Sequence, residues 1–201
     1  TTLLPETCAQ HAAYREQLGQ VRRAMASACL YIGLNDTAEN LGLPKTNYWI
    51  YPDNDYEGQL ERALADPDHH DIPLTYISFP SAKDPDFTRR YPGRATIEIV
   101  AAAPFEWYQR WADAPWGKRG DDYEAKKEAF AQRLLEKLFE KHPHLRDHLD
   151  YYELSTPLST AHFCRYPEGE IYGLDHDPER FEQDWLRPKT KVPGLYLTGQ
   201  D

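Results

Sequence analysis

Several stretches of the chain carry the hydrophobic pattern of β-strands. Residues 95–101 carry apolar side chains at every second position, with polar ones between the first of them at positions 96 and 98, which is the period of a strand with one buried face. Other apolar runs of strand length end at turn-forming residues. These runs cover residues 27–34, 46–51, 73–79 and 151–155. The pattern therefore predicts a sheet of four or five strands.

Longer segments have the periodicity of amphipathic helices. The clearest is residues 121–141, where apolar side chains recur every three or four positions and Lys, Glu and Arg occupy the opposite face. Residues 8–25 and 55–65 show the same pattern over shorter spans, and short helices are expected over residues 37–41 and 181–185. Because helices and strands interleave, we predict an α+β fold in which helices cover a mixed, largely antiparallel sheet.

Composition limits the partners and the compartment. The 201 residues are enough for one domain with a sizeable core, and their net charge of −10 argues against nucleic acid, which needs a basic face. No apolar run approaches the roughly 20 residues that span a bilayer. The three cysteines, Cys8, Cys29 and Cys164, are far apart and odd in number. This usage favours reduced thiols in a cytoplasmic compartment.

The C-terminal stretch is the first candidate for a ligand contact. Residues 195–197 are expected to form a buried strand of the parallel type that leads into Thr198, Gly199, Gln200 and Asp201. Small residues at such a strand end let a backbone come close to a ligand. The alternative is an ordinary strand-to-loop exit with Asp201 as an N-cap.

A second candidate lies in residues 169–173, where Gly169 and Gly173 flank Tyr172. The glycines would let the backbone lie close against a flat ring, and the tyrosine would present an aromatic face to it. A hairpin with glycines at its corners accounts for the same pattern, so both alternatives stay open.

Together, the two stretches resemble a family of flavoenzymes. From about Leu3 to its last residue, the chain is similar to the FAD-dependent oxidoreductases related to carotenoid isomerase, phytoene desaturase and retinol saturase. The resemblance implies that residues 1–187 form a substrate-side domain for a long isoprenoid polyene, and that residues 188–201 return the chain to an FAD-binding domain. The other segments that carry the resemblance are residues 30–34, 47–52 and 77–80.

The resemblance also implies which residues contact FAD. Asp201 would accept a hydrogen bond from a flavin-chain hydroxyl, and nearby backbone N–H groups would face the pyrophosphate. The chemistry would be hydride exchange with a carbon–carbon bond, or isomerisation, in a dry channel, and no side chain is nominated as acid or base. Residues expected at the cofactor are Thr198, Gly199, Gln200 and Asp201 along its chain, and Gly169, Tyr172 and Gly173 at its ring.

One departure from the family is large. The chain has no Gly-x-Gly-x-x-Gly after a strand, which is the motif that holds the ADP half of FAD. We therefore expect a fragment of a flavoenzyme that is inactive alone and does not retain FAD. Its expected partners are an apolar polyene and the rest of its own FAD-binding domain. An apolar substrate is also compatible with peripheral membrane contact, although no basic amphipathic helix supports it.

Other interpretations stay open beside this one. A free-standing module that binds an apolar ligand or a protein without a redox cofactor is the main alternative, and an amine-oxidase-like flavoenzyme is a third. The aromatic residues between 105 and 116 would line an apolar pocket or pack in the core. His144 and His148 have i, i+4 spacing but lack the glutamate of a His-Glu-x-x-His zinc site, so no metal is expected. The chain also has no Gly-x-Ser-x-Gly elbow to indicate a hydrolase. The polar residues 81–94 are expected to form a lid or an exposed connector.

Overall fold

The computed structural model describes Thr7 and residues 9–199, with the side chains of residues 9–11 excepted. The chain divides into two compact units. The predicted boundary after residue 187 falls within the smaller of them and stays a prediction about the parent protein. The units are Ala26–Gly169, called the larger unit below, and Thr1–Met25 with Glu170–Asp201, called the smaller unit.

The larger unit is built on one five-stranded sheet. Its strands are β1 (Ser27–Leu34), β2 (Tyr48–Ile50), β3 (Thr75–Ser78), β4 (Ala95–Ala102) and β5 (Leu149–Ser155). They lie in the order β2-β3-β4-β1-β5, and every neighbouring pair is antiparallel. The predicted α+β fold with a largely antiparallel sheet is confirmed.

Helices occur in both units. The described α-helices are α1 (Ala9–Leu18), α2 (Tyr56–Ala65), α3 (Pro80–Lys83), α4 (Phe87–Arg90), α5 (Asp121–Lys141), α6 (Pro157–Cys164) and α7 (Pro178–Phe181). Segments of 3₁₀-helix cover Phe105–Trp107, Gln109–Trp111, Pro143–His148 and Asp184–Leu186.

The long helix α5 covers one face of the sheet. Its apolar stripe, which includes Leu134, Leu135 and Leu138, is buried and belongs to one core cluster with Leu30 of β1 and Ile97 of β4. Alternation along β1 and β4 directs every second side chain into this core. The helix has the predicted bounds, because a stripe of this length and period can be buried only as a helix on an apolar surface.

Tyr108 carries a polar group that this core does not accommodate. Its side chain is fully buried, and no described group forms a hydrogen bond with its hydroxyl. Burial raises the pKa of this phenol, and a buried hydroxyl without a partner costs about 1–3 kcal/mol. We expect Tyr108→Phe to increase the free energy of unfolding by about 1 kcal/mol, measured by urea denaturation.

Tyr123→Phe is the matched control for this prediction. The Tyr123 hydroxyl is also buried, but it lies 2.7 Å from Thr156 Oγ1 in a hydrogen bond. Its removal is expected to reduce the free energy of unfolding by about 1 kcal/mol. Equal losses in the two variants would contradict the description of Tyr108.

Residues 81–94 differ from the predicted loop because α3 and α4 occupy much of this segment. Pro80 stands in the first turn of α3, where its missing N–H is not needed. The Ser81 hydroxyl accepts a hydrogen bond from Thr96 N–H at 2.9 Å and donates to the Thr96 carbonyl at 3.1 Å. Helix α3 thereby closes the edge of β4 beyond the end of β3, so this part is anchored to the sheet.

Two other short elements differ from the hydrophobic pattern. Residues 37–41, predicted as a short helix, form turns. Helix α6 has no apolar stripe from which a helix could be predicted. Its start is specified instead by local helix-capping residues. Pro157 is in its first turn, and Thr156 and Ser159 form a capping box that satisfies N–H groups at the helix start.

Candidate functional site

Gly169 lies where two segments of backbone meet in the larger unit. Its φ is +71°, and a Cβ at this position would lie 2.3 Å from the Pro157 carbonyl oxygen and 2.6 Å from Pro157 Cα. No side chain fits between these atoms. The close approach to the start of α6 therefore accounts for the glycine without a ligand, and the predicted contact with a flavin ring stays a prediction.

Gly173 and Tyr172 belong to the smaller unit. The Gly173 N–H donates to the Glu170 carbonyl at 2.7 Å, and the Gly173 carbonyl accepts from the Ala24 N–H at 2.9 Å. Gly173 has a φ of +65°, which favours glycine in this turn. Tyr172 is 61% exposed. Among the three residues predicted to contact the flavin ring, Tyr172 is thus the one whose side chain is exposed.

Residues 195–197 form no strand within the described part of the chain, where Tyr196 makes an isolated antiparallel bridge to Lys189. A short reversal through Pro193 and Gly194 intervenes, and Leu197 N–H donates back to the Pro188 carbonyl at 2.8 Å. The apolar side chains of this run are also largely exposed, with Tyr196 at 65%. The predicted return of this segment to an FAD-binding domain stays a prediction.

Thr198 and Gly199 end the described part of the chain. Both are exposed, and no atom lies within 4 Å of a Cβ built on Gly199, whose φ is +149°. The hydrogen bonds and ion pairs of the described residues do not join them to Tyr172 or Gly173. Gln200 and Asp201 lie outside the described residues, so their predicted cofactor contacts stay predictions.

The sheet face opposite α5 carries aromatic side chains that no motif singles out. Strand register aligns Trp49, Tyr76, Val100, Cys29 and Ser155 in one row across all five strands. Trp49 is 62% exposed, and its ring centroid lies 4.8 Å from that of Tyr76. We define the outer sheet face by this row together with Tyr31, Glu98, Tyr151 and Glu153.

A second row on the outer sheet face combines an aromatic ring with carboxylates. Tyr31 of β1 stands opposite Glu98 of β4 on one side and Glu153 of β5 on the other. Burial, with the neighbouring Cys29 and Glu98, raises the pKa of Tyr31 to about 12. Burial also raises the pKa of Cys29 to about 11. Both groups are neutral at pH 7, so Cys29 is not a thiolate nucleophile.

A small cavity between α5 and β5 has a different character. Its volume is about 180 Å³, and Tyr152 Oη donates to Glu128 Oε1 at 2.7 Å in its wall. Carboxylates and an amine dominate the lining, which does not suit an apolar chain. The lining residues are Glu124, Lys127, Glu128, Ala131, Tyr152, Glu153 and Leu154.

The aromatic segment between residues 105 and 116 belongs mainly to the core. Tyr108 and Trp111 are buried, and Phe105 and Trp107 pack against the core cluster. Of the two interpretations of this segment, packing in the core is therefore the correct one for these four residues. Trp116 is the exception, with 53% of its surface exposed.

The histidines that follow α5 are hydrogen-bonded to protein groups. His142 Nε2 lies 3.1 Å from Tyr48 Oη, His144 Nε2 lies 3.1 Å from a backbone carbonyl, and His148 Nδ1 lies 2.9 Å from an asparagine oxygen. Across Thr7 and residues 9–199, no three His, Cys, Asp or Glu residues form a group that could hold a metal ion. None of the described helices has the length and apolar character needed to cross a membrane.

Comparison with known proteins shows which proteins the chain is similar to. No protein-family model matches the chain. However, all-trans-retinol 13,14-reductase of Danio rerio is 36% identical over 205 residues, which cover 99% of this chain, and the Homo sapiens protein of that name matches equally. The chain is homologous to a segment of these reductases. It spans about a third (34%) of the length of the retinol reductases it matches, and the predicted resemblance to the retinol saturase group is confirmed.

One similar retinol reductase carries a different name. Inactive all-trans-retinol 13,14-reductase of Danio rerio is 30% identical over 184 residues, which cover 86% of this chain and 29% of that protein. The similarity thus extends to proteins named as retinol reductases and to one named as inactive.

Proposed function

We propose that this chain is the substrate-side domain of a flavin-dependent oxidoreductase that reduces a retinoid or a related isoprenoid polyene. The outer sheet face would form one wall of the substrate channel. The observation that carries this proposal is the row of exposed or half-buried aromatic and apolar side chains on that face. The homology to proteins named all-trans-retinol 13,14-reductase supports the choice of substrate class.

The shape of this face suits a long, flat hydrocarbon. Strands lie about 4.8 Å apart, so five strands present a surface about 19 Å across. Trp49, Tyr76 and Val100 follow one another across β2, β3 and β4, and they offer apolar area without a break. Burial of a polyene against such side chains would contribute roughly 25 cal/mol per Å² of apolar surface.

The polar end of a retinoid also finds a partner on this face. Glu98 and Glu153 border Tyr31 in the second row. A carboxylate oxygen accepts a hydrogen bond from an alcohol. We propose that one of these glutamates binds the substrate hydroxyl while the aromatic row binds the chain, which would fix the direction in which the polyene lies.

The proposed cofactor is FAD, and the predicted contact residues fit it unequally. The backbone at Gly199 is exposed and open on its Cα side, as an approach to a cofactor requires. At Gly169 the Pro157 backbone occupies the equivalent space, so a ring contact there would have to use another atom. Bound flavin would supply the hydride. The residues of this chain would orient the polyene and exclude water from it.

Trp49→Ala in the full-length protein tests the substrate wall. Truncating this indole removes binding area that is used equally by substrate and transition state. We expect the KM for all-trans-retinol to rise about tenfold, with kcat changed by less than about twofold. Steady-state kinetics with the purified protein would measure both constants.

Tyr91→Ala is the control for this test. Tyr91 is 52% exposed, and it follows α4 rather than lying on the outer sheet face. We expect its KM to match that of the wild type. An unchanged KM in Trp49→Ala, with retinol turnover intact, would reject the wall and leave the enzyme class standing.

A binding module without a redox cofactor is the second candidate, favoured by the homology to a protein named inactive. Purification of the full-length protein distinguishes the oxidoreductase from the binding module. A stoichiometric flavin absorbance supports the oxidoreductase, whereas a colourless protein that still binds retinol supports the module. The 201-residue chain by itself is expected to be inactive and to retain no FAD.

A further inference from the structure

The second row of the outer sheet face continues beyond Glu98 to a lysine. Ser78 of β3 is the register partner of Glu98, and directly opposed residues of neighbouring strands point to the same side of a sheet. Lys83, which ends α3, donates from Nζ to Ser78 Oγ at 3.0 Å and also to Asn47 Oδ1. We call Lys83, Ser78 and Glu98 the Lys–Glu site. Each of its two charged side chains thus neighbours the same serine.

The lysine of this site is held in place by the sheet. Asn47 directly precedes β2, and Ser78 is the last residue of β3, so Lys83 Nζ bridges two neighbouring strands. Two of its three N–H groups have protein acceptors. None of the ion pairs among the described residues includes Lys83. One donor of this ammonium group is therefore available to a ligand.

The carboxylate of Glu98 offers the complementary acceptor. Glu98 is half-buried, and no hydrogen bond or ion pair between described residues uses its side chain. Glu153, on the other side of Tyr31, differs because its Oε2 accepts from Tyr151 Oη at 2.8 Å. Burial is the main cause of the raised pKa values of Tyr31 and Cys29, and the Glu98 carboxylate adds to both. Of the two glutamates that border Tyr31, Glu98 is thus the one with both oxygens available.

We propose that the Lys–Glu site binds the terminal hydroxyl of the polyene substrate. A hydroxyl both donates and accepts, so it can accept from Lys83 Nζ and donate to Glu98 at the same time. The aromatic row lies two residues away along each strand, a distance of about 7 Å. The site is therefore within reach of one end of a chain that packs on Trp49, Tyr76 and Val100. This inference rests on the proposed function, and it names the residues that select the polar end of the substrate.

One donor beside one anionic acceptor distinguishes an alcohol from its derivatives. An ether can accept from Lys83 but has no hydrogen to donate to Glu98. A carboxylate can also accept from Lys83, but Glu98 repels its charge. A site that hydrogen-bonds a hydroxyl rejects analogues that leave its polar groups unpaired. We therefore expect the site to prefer an alcohol to both the methyl ether and the corresponding acid.

Equilibrium binding to the full-length protein tests this preference. The probes are all-trans-retinol, its methyl ether and retinoic acid, and quenching of tryptophan fluorescence by the polyene measures each dissociation constant. We expect the wild type to bind the ether and the acid about tenfold more weakly than the alcohol, because each analogue loses the hydrogen bond to the carboxylate.

Two variants change the binding of the acid in opposite directions. Glu98→Gln keeps the size of the side chain and removes its charge, so it is expected to bind retinoic acid about tenfold more tightly than the wild type does. Lys83→Met removes the donor and keeps most of the length, so it is expected to bind all three probes about tenfold more weakly. A general loss of structure would not make the binding of one probe tighter.

Glu61→Gln and Lys118→Met are the matched controls. Both residues are exposed, and they lie outside the outer sheet face, in α2 and in the loop before α5. Each control is expected to bind the three probes as the wild type does. The inference is overturned if the wild type does not prefer the alcohol, or if Glu98→Gln leaves that preference unchanged. A change of preference in Glu153→Gln alone would assign the hydroxyl to the other glutamate and would also overturn it.

Turnover of all-trans-retinol by the same preparations keeps this inference apart from the proposed function. Intact turnover by the wild type, with a preference that Glu98→Gln does not change, would reject the Lys–Glu site alone. A wild type that prefers the alcohol but does not reduce it would reject the oxidoreductase and leave the site standing.

Discussion

Replacing Gly169 with alanine is expected to reduce the free energy of unfolding by about 4 kcal/mol. Two effects add at this position. A residue other than glycine at a φ of +71° costs about 1–2 kcal/mol, and the new methyl would lie 2.3 Å from the Pro157 carbonyl oxygen. Backbone atoms on both sides must move to relieve that overlap, which costs about 1–3 kcal/mol more. Urea denaturation of the purified chain would measure the loss.

Gly93→Ala separates the two effects. Gly93 has nearly the same φ, +70°, but no atom lies within 4 Å of a Cβ built on it. Its replacement retains the backbone strain and lacks the overlap, so we expect a loss of about 1–2 kcal/mol. If both variants lose the same amount, the contact between Gly169 and Pro157 is not what requires glycine.

Thr156→Val is expected to reduce the free energy of unfolding by about 3 kcal/mol. The Thr156 side chain is fully buried, accepts a capping hydrogen bond at the start of α6, and is 2.7 Å from the Tyr123 hydroxyl. Valine keeps the shape but loses the cap, worth about 1 kcal/mol. It also leaves the Tyr123 hydroxyl buried without a partner, which costs about 1–3 kcal/mol.

A double-mutant cycle with Tyr123→Phe isolates the contact. In Thr156→Val/Tyr123→Phe the unsatisfied hydroxyl is removed with its partner, so the combined loss should be smaller than the sum of the single losses by about 1–2 kcal/mol. Thr156→Ser retains both hydrogen bonds and is expected to lose about 1 kcal/mol for the missing methyl. Strict additivity in the cycle would mean that the two hydroxyls do not interact.

Elements with a long, regular pattern could be predicted from the sequence. Residues 121–141 are a helix with the predicted bounds, and β1 and β4 follow their alternation, because burial of one face specifies the period. Helix α6 and residues 195–197 could not be predicted in this way. Capping at Thr156 begins the first, and a reversal at Pro193 turns the second back against residues 188–190, where it makes a single bridge.

The candidate site depends on contacts between distant residues, which local patterns do not contain. The sequence singles out Gly169 only by its residue type. The folded structure gives the reason, because the backbone of Pro157 leaves no space for a side chain at this position. Trp49 and Tyr31 occupy positions that point away from the core in their strands. Only the register between the strands shows that they lie on the same face of the sheet. The two-residue period of β1 predicts which face of the sheet Tyr31 occupies. The order of the strands, in contrast, is given only by the folded structure.

The smaller unit is assembled from both ends of the chain, which has a consequence for synthesis on the ribosome. Arg22 bonds to Asp177 across 155 positions, and Lys191 N–H bonds to Tyr14 Oη across 177 positions. Residues 9–25 must therefore wait for their partners while residues 26–169, a continuous stretch, emerge and can fold. During that interval residues 9–25 are open to chaperones and proteases, and the time needed to synthesise residues 26–199 sets how long they stay exposed.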